Sequence, residues 1–452
     1  MNFSLKIDSS QKYRFFRNFY IPILTIFATN FTKSLNFIYN IVLRLYYSVS
    51  WIVGFFNKKA SLFYHGRVDL LEKIRDRVKS DDPIVWFHCA SVGEFEQGRT
   101  LIESYKKHHP SHKILLTFFS PSGYELRKNY PLADWVFYLP MDTKINAVSF
   151  IEAVKPHMAV FIKYEYWYNY LNELKKRGIP TYVASAIFMS HQRFFKWYGG
   201  FFRKMLRNFT HIFVQDEASA SLLKKIGITN VTVSGDTRFD RVNQITKANG
   251  QFEHIRIFAD EGSCWVAGST WPIDEEMIAA IFPNLPFNKL IIVPHEVHHK
   301  HIAKINAYFS EYKVIKYSQI KDVKIDARIE ARLREARVLI IDTIGILSSV
   351  YKYGSFAYIG GGFGVGIHNT LEAATSGTPV IFGPKYKKFK EAVDLVALGG
   401  AKKVTKIKEL NFHVKKFLSD DVLRDKCGAI CRSYIEKNVG ATECVAEHLI
   451  MS

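Results

Sequence analysis

Two glutamates stand just after predicted strands in the first half of this 452-residue chain. Glu94 lies in the first turn of a helix that we predict over 94–108, and Glu165 follows a strand predicted over 158–162. A carboxylate in such a position can act as a general base on a hydroxyl group. Ser91 and Glu94 also fit a capping box, in which the glutamate only caps the helix backbone. The sequence therefore leaves both roles open for Glu94.

Two further side chains near these loops also allow two interpretations each. Aromatic residues surround Glu165, and they either raise the pKa of its carboxyl group or form a packed wall beside it. Arg238 lies where the first half of the pattern ends, so its guanidinium either meets an anionic group or is solvated at the surface.

A glycine-rich segment joins a strand predicted over 356–359 to a helix predicted to begin at Asn369 and end near Gly377. Its glycines are Gly360, Gly361, Gly362, Gly364 and Gly366. Glycine allows sharp turns and close approach to a ligand, and a helix N-terminus favours anions, so the segment predicts a phosphate site of a nucleotide. Glu372, three residues after Asn369, either caps this helix or binds a ribose hydroxyl group.

Three more loops follow predicted strands in the second half. Gly268-Ser269-Thr270 precedes Pro272, a favourable first helical residue, and Asp342-Thr343-Ile344-Gly345 follows a strand predicted over 338–341. The third, from His295 to His299, matches the H-E-x-x-H zinc-protease pattern. It comes directly after a strand and Pro294, where a helix has barely begun, so we predict a basic, ligand-facing loop instead.

The predicted strands and helices alternate along the chain from about residue 67 onward. The predicted strands cover 84–89, 114–119, 135–139, 158–162, 181–184, 211–215 and 231–234, and then 265–267, 289–293, 312–315, 338–341, 356–359 and 380–382. This pattern predicts an α/β protein with two doubly wound, Rossmann-like domains and a cleft between them. A polar stretch over 240–252 is predicted to be the linker.

The amino terminus differs in kind from the rest. Residues 1–60 carry eight basic residues and one acid, and residues 37–56 form an apolar, aromatic run about as long as a membrane span. Arg44 in its middle would cost roughly 2.5–3.5 kcal/mol to insert. A spanning helix, a helix lying in the headgroup plane and a buried core helix all remain possible.

Composition adds two expectations. The chain has 62 Lys and Arg against 42 Asp and Glu, a net charge of +20, which predicts attraction to nucleic acid, anionic lipid or phosphorylated substrates. Its five cysteines form no CxxC pair, which is typical of reduced thiols in a cytosolic compartment.

Taken together, the motifs resemble the Kdo transferases, which attach 3-deoxy-manno-octulosonic acid (Kdo) to a lipid A precursor in lipopolysaccharide synthesis. The resemblance runs from about residue 37 to the end of the chain. Its landmarks are residues 90–94, 165–167, 235–240, 268–270, 342–345, 369–374, 382–384 and 389–391. At three positions where this family usually has arginine, glutamate and lysine, the chain has His295, Ile346 and Arg238.

The resemblance implies an inverting glycosyltransferase of the GT-B fold with CMP-Kdo as donor and no metal or other cofactor. Glu94 would be the base that deprotonates the acceptor hydroxyl, with Glu165 and Arg238 stabilising the transition state. The nucleotide would be held by Ser269, Thr270, Pro294, His295, Ile344, Gly345, Ile346, Asn369, Thr370, Leu371 and Glu372.

The charge pattern of the amino terminus and, from residue 37 onward, the resemblance imply a domain plan and a location. Residues 1–36 would be a basic extension, 37–60 a membrane-associated helix, 61–245 the acceptor-side domain, and 246–452 the nucleotide-sugar domain, whose terminal helix returns to the first domain. The chain would bind the anionic inner membrane with both domains on the cytoplasmic side, and would not bind nucleic acid. The alternatives are another GT-B transferase or an epimerase, and a non-enzymatic membrane scaffold or polyanion-binding protein.

Overall fold

A computed structural model describes residues 32–248, 252–259, 264–286 and 288–451, so most of the predicted 1–36 extension lies outside the described residues. The chain divides into two compact units. The first runs through Arg241 and includes the residues from Val439 onward, and the second is Val242–Asn438.

The first unit contains a seven-stranded parallel sheet in the order β3-β2-β1-β4-β5-β6-β7. Its strands are β1 (Ile84–Cys89), β2 (Lys113–Phe118), β3 (Trp135–Tyr138), β4 (Met158–Ile162), β5 (Thr181–Ala186), β6 (His211–Val214) and β7 (Val231–Val233). Its helices are α1 (Thr32–Gly54), α2 (Lys58–His65), α3 (Leu70–Arg77), α4 (Val92–His108), α5 (Pro121–Arg127), α6 (Lys144–Val154), α7 (Tyr168–Lys176), α8 (Gly200–Leu206), α9 (Glu217–Lys225) and α10 (Thr237–Ala248), which crosses the division between the units.

The second unit contains another seven-stranded parallel sheet, in the order β10-β11-β9-β8-β12-β13-β14. Its helices are α11 (Glu253–Ala259), α12 (Pro272–Ile281), α13 (His299–Tyr308), α14 (Ala327–Glu335), α15 (Leu347–Val350), α16 (Leu371–Thr375), α17 (Lys390–Leu398), α18 (Ile407–Ser419) and α19 (Asp421–Asn438). Its strands are β8 (Cys264–Thr270), β9 (Lys289–Pro294), β10 (Val314–Lys316), β11 (Val338–Ile340), β12 (Ala357–Ile359), β13 (Val380–Phe382) and β14 (Ala401–Lys403). A last helix, α20 (Ala441–Ile450), belongs to the first unit.

The two doubly wound sheets predicted from the sequence are confirmed. Central strands such as β1 and β4 are buried along their whole length, because helices cover both faces of a parallel sheet. Within the first sheet, β1 pairs with β4 in the register Phe87 to Val160, and the two strands therefore end side by side. The loops that follow them carry the candidate glutamates.

The predicted linker over 240–252 contains the division between the two units, after Arg241, and most of it is helical because α10 extends through Ala248. Within α10, Phe239 and Val242 are buried three positions apart, on one helical face. Arg241 also pairs with Glu96 of α4, with Nε 2.9 Å from the carboxylate.

The returning helix α20 is capped by a carboxylate from α10. The backbone N–H groups of Gly440 and Thr442 donate to the two oxygens of Asp240, at 2.6 and 2.7 Å. Val445 and Leu449 of α20 then join the apolar core beneath α4. The last turn of the chain is thus part of the scaffold that supports the Glu94 loop.

Helix α1 packs one face on the first unit and exposes the other. On the inner face Leu43 is buried, and Tyr46 contacts the rings of Phe63 and Phe119 at 5.4 and 6.5 Å. The exposed large apolar side chains are Phe37, Ile41, Leu45, Val49, Trp51 and Ile52, and Arg44 is exposed among them. By length and composition, Phe37–Gly54 could cross a membrane. This two-sided pattern excludes the buried core helix among the alternatives above.

Candidate active site

Glu94 sits in the first turn of α4, at the carboxyl end of β1. Ser91, the N-cap of this helix, accepts a hydrogen bond from the Gly93 N–H through its hydroxyl oxygen and donates one to Glu94 Oε2. The carboxylate therefore accepts from a side chain instead of capping the backbone. Oε1 meets no hydrogen-bond donor within the described parts of the chain, and the side chain is half-buried. Glu94 thus keeps one oxygen available for a proton.

Glu165 lies in a buried polar network beside it. Its Oε2 accepts from Trp167 Nε1 at 2.7 Å and lies 3.2 Å from Nε2 of the fully buried His88. His88 Nδ1 is 2.8 Å from the Thr117 hydroxyl, which in turn accepts from Trp86 Nε1. Trp167 Nε1 also lies 3.2 Å from His88 Nε2, so the Trp167, His88 and Glu165 side chains meet at one point. These contacts, all from buried or half-buried side chains of the first unit, fix the orientation of the Glu165 carboxylate.

Arg238 is held by an aspartate two residues earlier. Its Nε and Nη2 both lie 2.8 Å from Asp236 Oδ2, and Gln97 of α4 donates to Asp236 Oδ1 at 3.0 Å. Burial alone would raise the pKa of Asp236, but the Arg238 charge and these hydrogen bonds hold it below its usual range. Arg238 is therefore an oriented, partly exposed cation and not a freely solvated one.

The three candidate residues of the first unit share the carboxyl edge of its sheet. Burial raises the pKa of Tyr164, and the Arg238 charge opposes this rise while the Glu94 charge adds to it. Burial likewise raises the pKa of the Cys89 thiol, and the charges of Glu94 and Glu165 both reinforce the rise. Two carboxylates and one guanidinium thus act electrostatically on the same small region.

In the second unit, the loops after β8 and β9 are joined directly. The His295 N–H donates to the Thr270 carbonyl at 2.9 Å, and Thr270 pairs with Pro294 across a register shift in the strand pair. Ser269, inside that shift, has φ +52°, an uncommon value for a residue with a side chain. Strain of this kind concentrates at functional loops.

His295 belongs to a stack of three rings. Its imidazole lies 4.3 Å from that of His368 and 4.9 Å from the Trp271 indole, measured between ring centroids. Trp271 Nε1 donates to His368 Nε2 at 2.9 Å. Burial and then the neighbouring His295 lower the pKa of His368 to about 4, so this imidazole is neutral at physiological pH.

Two adjacent buried carboxylates of α12 hold these loops together. Asp274 accepts from the backbone N–H groups of Trp271 and Gly361 and from the Tyr358 hydroxyl, at 3.0, 2.8 and 2.6 Å. Glu275 accepts from the Thr270 hydroxyl at 2.9 Å and lies 2.8 Å from His301 Nε2. Burial raises the pKa of both carboxyl groups, although each hydrogen bond opposes the rise.

The glycine-rich segment serves packing as well as turning. A Cβ at Gly360 would lie 2.2 Å from the Ser269 carbonyl oxygen, and one at Gly362 would lie 2.6 Å from Gly383 Cα. These two glycines are therefore required by neighbouring backbone and not by a ligand. The helix that follows is shorter than predicted: it is α16, Leu371–Thr375, with Asn369 and Thr370 before it.

The remaining predicted nucleotide residues occupy loops at the same edge. The Asn369 side chain accepts from the Leu371 N–H and donates to Glu372 Oε1. Ile344 is 87% exposed, Gly345 has φ +98°, and Ile346 precedes α15. Within the described parts of the chain, the buried hydroxyl oxygens of Thr343 and Thr370 have no hydrogen-bond partner.

The zinc-protease pattern does not form a zinc site. Helix α13 begins only at His299, so His295 and His299 cannot share a helical face. His298 Nδ1 instead accepts from the His301 N–H and caps α13. In the described ranges, no group of three His, Cys, Asp or Glu side chains converges as metal ligands do.

Sequence reasoning missed several residues that organise these loops, namely His88, Gln97, Asp236, Trp271, Asp274, Glu275 and His368. Two signals were available for them. Asp274 and Glu275, which follow Pro272 and Ile273, are an acidic pair that is unusual in a helix buried against a sheet, and His88 is a polar residue inside an apolar strand.

Comparison with known proteins finds sequence similarity to one family of transferases. Residues 64–241 match the family described as 3-Deoxy-D-manno-octulosonic-acid transferase (kdotransferase). The chain is 29% identical over 316 residues to the 3-deoxy-D-manno-octulosonic acid transferase of Rickettsia bellii, covering 68% of this chain and 72% of that protein. It is 26% identical over 378 residues to the corresponding transferase of Aquifex aeolicus, covering 80% and 95%.

Solved structures show the same fold at low identity. The UDP-GlcNAc 2-epimerase of Neisseria meningitidis bound to UDP-GlcNAc superposes with a TM-score of 0.57 at 16% identity, covering 82% of this chain and 100% of that one. MurG of Acinetobacter baumannii gives 0.52 at 11% identity, covering 82% and 99%. Two Rossmann-like units of the GT-B type are thereby confirmed.

Proposed function

The chain is related to the Kdo transferases over most of its length, and from this relationship we propose that it transfers Kdo from CMP-Kdo to a lipid A precursor, lipid IVA, with inversion. Its similarity to these transferases and its two Rossmann-like units support a glycosyltransferase. The donor, the acceptor and the roles of individual residues below are our proposal for it.

Glu94 is the general base in this proposal. Its carboxylate takes the proton of the acceptor hydroxyl, the hydroxyl oxygen bonds to the anomeric carbon of Kdo, and the bond from that carbon to the phosphate oxygen breaks. CMP leaves with the electron pair of the broken bond. The uncapped Oε1 supports this role, and the Ser91 hydroxyl on Oε2 holds the carboxylate in place.

Glu165 and Arg238 stabilise the transition state electrostatically. Positive charge develops on the sugar as the phosphate departs, and a fixed carboxylate favours that charge. Arg238 favours the departing phosphate, and its pairing with Asp236 sets the direction of its guanidinium. The chain has arginine where the family usually has lysine, and either cation can bind a phosphate oxygen.

The loops of the second unit bind the nucleotide. Ser269, Thr270, Pro294 and His295 form one continuous hydrogen-bonded edge, and Asn369 to Glu372 form a second. The buried Thr343 and Thr370 hydroxyls support a polar ligand here, because a buried hydroxyl without a partner is unfavourable. Ile344, Gly345 and Ile346 complete the edge, and the exposed Ile344 side chain offers apolar contact to a base.

Transfer needs no metal ion in this proposal. The carboxylates beside the nucleotide loops are occupied by protein donors: Asp342 by Ser318, Asp274 by Trp271 and Gly361, and Glu275 by Thr270. We expect full activity after dialysis against EDTA. Activity lost with EDTA and restored by Mg²⁺ would refute this part.

Helix α1 attaches the enzyme to the cytoplasmic face of the inner membrane. Its exposed apolar face and the net charge of +20 support association with an anionic bilayer, where the lipid acceptor lies. Tyr46 of α1 stacks on Phe119, whose ring lies 4.7 Å from Trp167, the donor to Glu165. The side chains of Tyr46, Phe119 and Trp167 thus form a continuous series of contacts from α1 to the Glu165 carboxylate. Nucleic acid is not an expected partner.

The oriented Glu94 carboxylate is the observation that carries the proposal. The test is incubation of the full chain with CMP-Kdo and tetra-acylated lipid A precursor in detergent, with product masses read by mass spectrometry. We expect a mass gain of one or more Kdo units. Turnover of UDP-GlcNAc instead would favour the epimerase alternative, and indifference to both donors would favour a scaffold.

A further inference from the structure

A second surface of the first unit has the composition of a membrane-contact element. This surface is the aromatic-basic segment, residues 189–207, which lies between β5 and β6 in the chain. It contains five basic residues, Arg193, Lys196, Arg203, Lys204 and Arg207, and no aspartate or glutamate. Trp197 is 78% exposed at its tip, whereas a tryptophan is usually largely buried.

Buried aromatic rings and side-chain hydrogen bonds hold the backbone of the segment in place. Phe194 and Phe201 are buried, and the Arg203 guanidinium donates to the Phe194 and Lys196 carbonyls at 3.2 and 3.1 Å. A tight turn follows Lys196, and a Cβ at Gly199 would lie 2.3 Å from the Arg193 carbonyl oxygen. The exposure of Trp197 is thus imposed by ordered neighbours.

The segment adjoins α1, the helix that we propose to contact the membrane. The Tyr39 ring of α1 lies 6.1 Å from Phe201 and 5.9 Å from Tyr168, and the latter two rings stack at 4.6 Å. Phe37 and Ile41, which flank Tyr39 on α1, are exposed. The segment therefore packs directly against α1, a helix whose opposite face is exposed.

The chemistry of the segment fits a bilayer surface. Tryptophan prefers the interface between headgroups and acyl chains, where its ring is half-apolar and its N–H is solvated. Lys204 and Arg207 are exposed, and within the described residues neither has a carboxylate partner. Each basic residue near an anionic leaflet adds favourable energy, and the absence of acids in 189–207 removes any opposing charge there.

We propose that residues 189–207 are a second membrane-contact element, in which Trp197 enters the headgroup layer of an anionic bilayer and Lys204 and Arg207 bind its lipid phosphates. The inference rests on the proposed membrane association of α1. Two contacts instead of one would fix the rotation of the first unit about α1, and so the presentation of Glu94 to the lipid acceptor.

The test is binding of the full chain to vesicles made of equal parts phosphatidylglycerol and phosphatidylcholine. Trp197→Ala and Lys204→Gln/Arg207→Gln are compared with Lys224→Gln/Lys225→Gln, which removes the same charge from exposed positions on α9. We expect the Lys204/Arg207 variant to bind roughly tenfold more weakly and the Lys224/Lys225 variant to bind within about twofold of wild type. Brominated acyl chains should quench a component of the fluorescence that Trp197→Ala lacks.

Other outcomes separate this inference from the membrane association of α1. Trp51→Ala, on the exposed face of α1, reports on that helix alone. If it weakens binding while the segment variants bind and are quenched like wild type, the inference fails and the proposed function stands. If wild type does not bind these vesicles, both fail. If the Lys204/Arg207 variant loses affinity for a single-stranded oligonucleotide and keeps it for vesicles, the segment binds nucleic acid and the inference is wrong.

Discussion

Asp274 is the residue on which the nucleotide loops depend most. It accepts hydrogen bonds from groups in three separate elements, and it is completely buried. Removing it leaves buried donors on Trp271, Gly361 and Tyr358 without an acceptor, and each such donor costs about 1–3 kcal/mol.

We therefore expect Asp274→Ala to lower the free energy of unfolding by at least about 3 kcal/mol, measured by urea denaturation. Glu276→Ala on the same helix is the control. Glu276 is an exposed carboxylate paired with Lys304, and such pairs contribute about 0–1 kcal/mol. Equal losses in the two variants would contradict the organising role of Asp274.

Ionisation of Asp142 makes the free energy of unfolding depend on pH. It accepts from the Tyr39 hydroxyl of α1 and from the N–H groups of Asn169 and Tyr170. Burial nevertheless raises its pKa from 3.8 to about 6. Between these values the folded chain holds a proton that the unfolded chain has lost, so stability falls as pH rises.

The expected loss between pH 4 and pH 6 is about 2 kcal/mol of unfolding free energy, because a shift of about two pKa units contributes its full effect of about 3 kcal/mol only over a wider pH range. Asp142→Asn cannot ionise, so its unfolding free energy should show a correspondingly flatter pH profile. Urea titrations of both proteins across this range measure the difference. Parallel profiles would mean that Asp142 does not titrate differently in the folded state.

At the scale of elements, the glycines of the glycine-rich segment differ in how closely neighbouring backbone approaches them. Gly360 has the Ser269 backbone against it, whereas a Cβ at Gly364 would meet nothing closer than 3.8 Å. Gly360→Ala should therefore force the loops after β8 and β12 apart and cost about 1–3 kcal/mol of stability.

Gly364→Ala, four residues away, should leave the unfolding midpoint nearly unchanged. Thermal unfolding followed by circular dichroism compares the two variants. If Gly364→Ala lowers the midpoint as much as Gly360→Ala does, the close contact with Ser269 does not explain the glycine at 360.

The elements also show how far sequence reasoning reaches. Apolar runs bounded by glycine and polar residues located most strands within two residues, as for β1, β4 and β13. The edge strand β14 was missed, because Ala401-Lys402-Lys403 has no apolar run to mark it. The polar stretch over 240–252 located the division between the units, but its composition did not reveal the helix α10, which continues through Ala248.

The same limit applies to the site. Glu94, Glu165 and Arg238 could be placed on one sheet edge because parallel strands end together. The partners of Asp274 could not be found, since Tyr358 and Gly361 lie more than 80 residues away in sequence. The sequence likewise does not reveal that Asp236 orients Arg238, because adjacent opposite charges on a loop are usually solvated.

At the scale of the whole molecule, the net charge of +20 and the exposed face of α1 make membrane binding a joint electrostatic and apolar interaction. Salt shortens the reach of the first component, from about 10 Å at 0.1 M to about 3 Å at 1 M. We expect vesicle binding to weaken strongly but not vanish when salt is raised across that range.

Sedimentation with anionic vesicles at the two salt concentrations measures this, and phosphatidylcholine vesicles are the control. Binding that is independent of salt would show that the basic charge plays no part. Binding abolished by salt would show that the apolar face of α1 does not enter the bilayer.

The most direct test of the account is the rate of Kdo transfer from CMP-Kdo by wild type, Glu94→Gln and Ser91→Ala. Glu94→Gln keeps the shape and the bond from Ser91 but cannot take a proton, so we predict a loss of roughly 10²–10⁴-fold with an unchanged unfolding midpoint. Ser91→Ala should lose about 1 kcal/mol of stability as a missing cap, and because it frees the Glu94 carboxylate without removing it, transfer should fall far less than in Glu94→Gln. Transfer by Glu94→Gln at the wild-type rate, or no transfer by wild type from CMP-Kdo, would contradict the account.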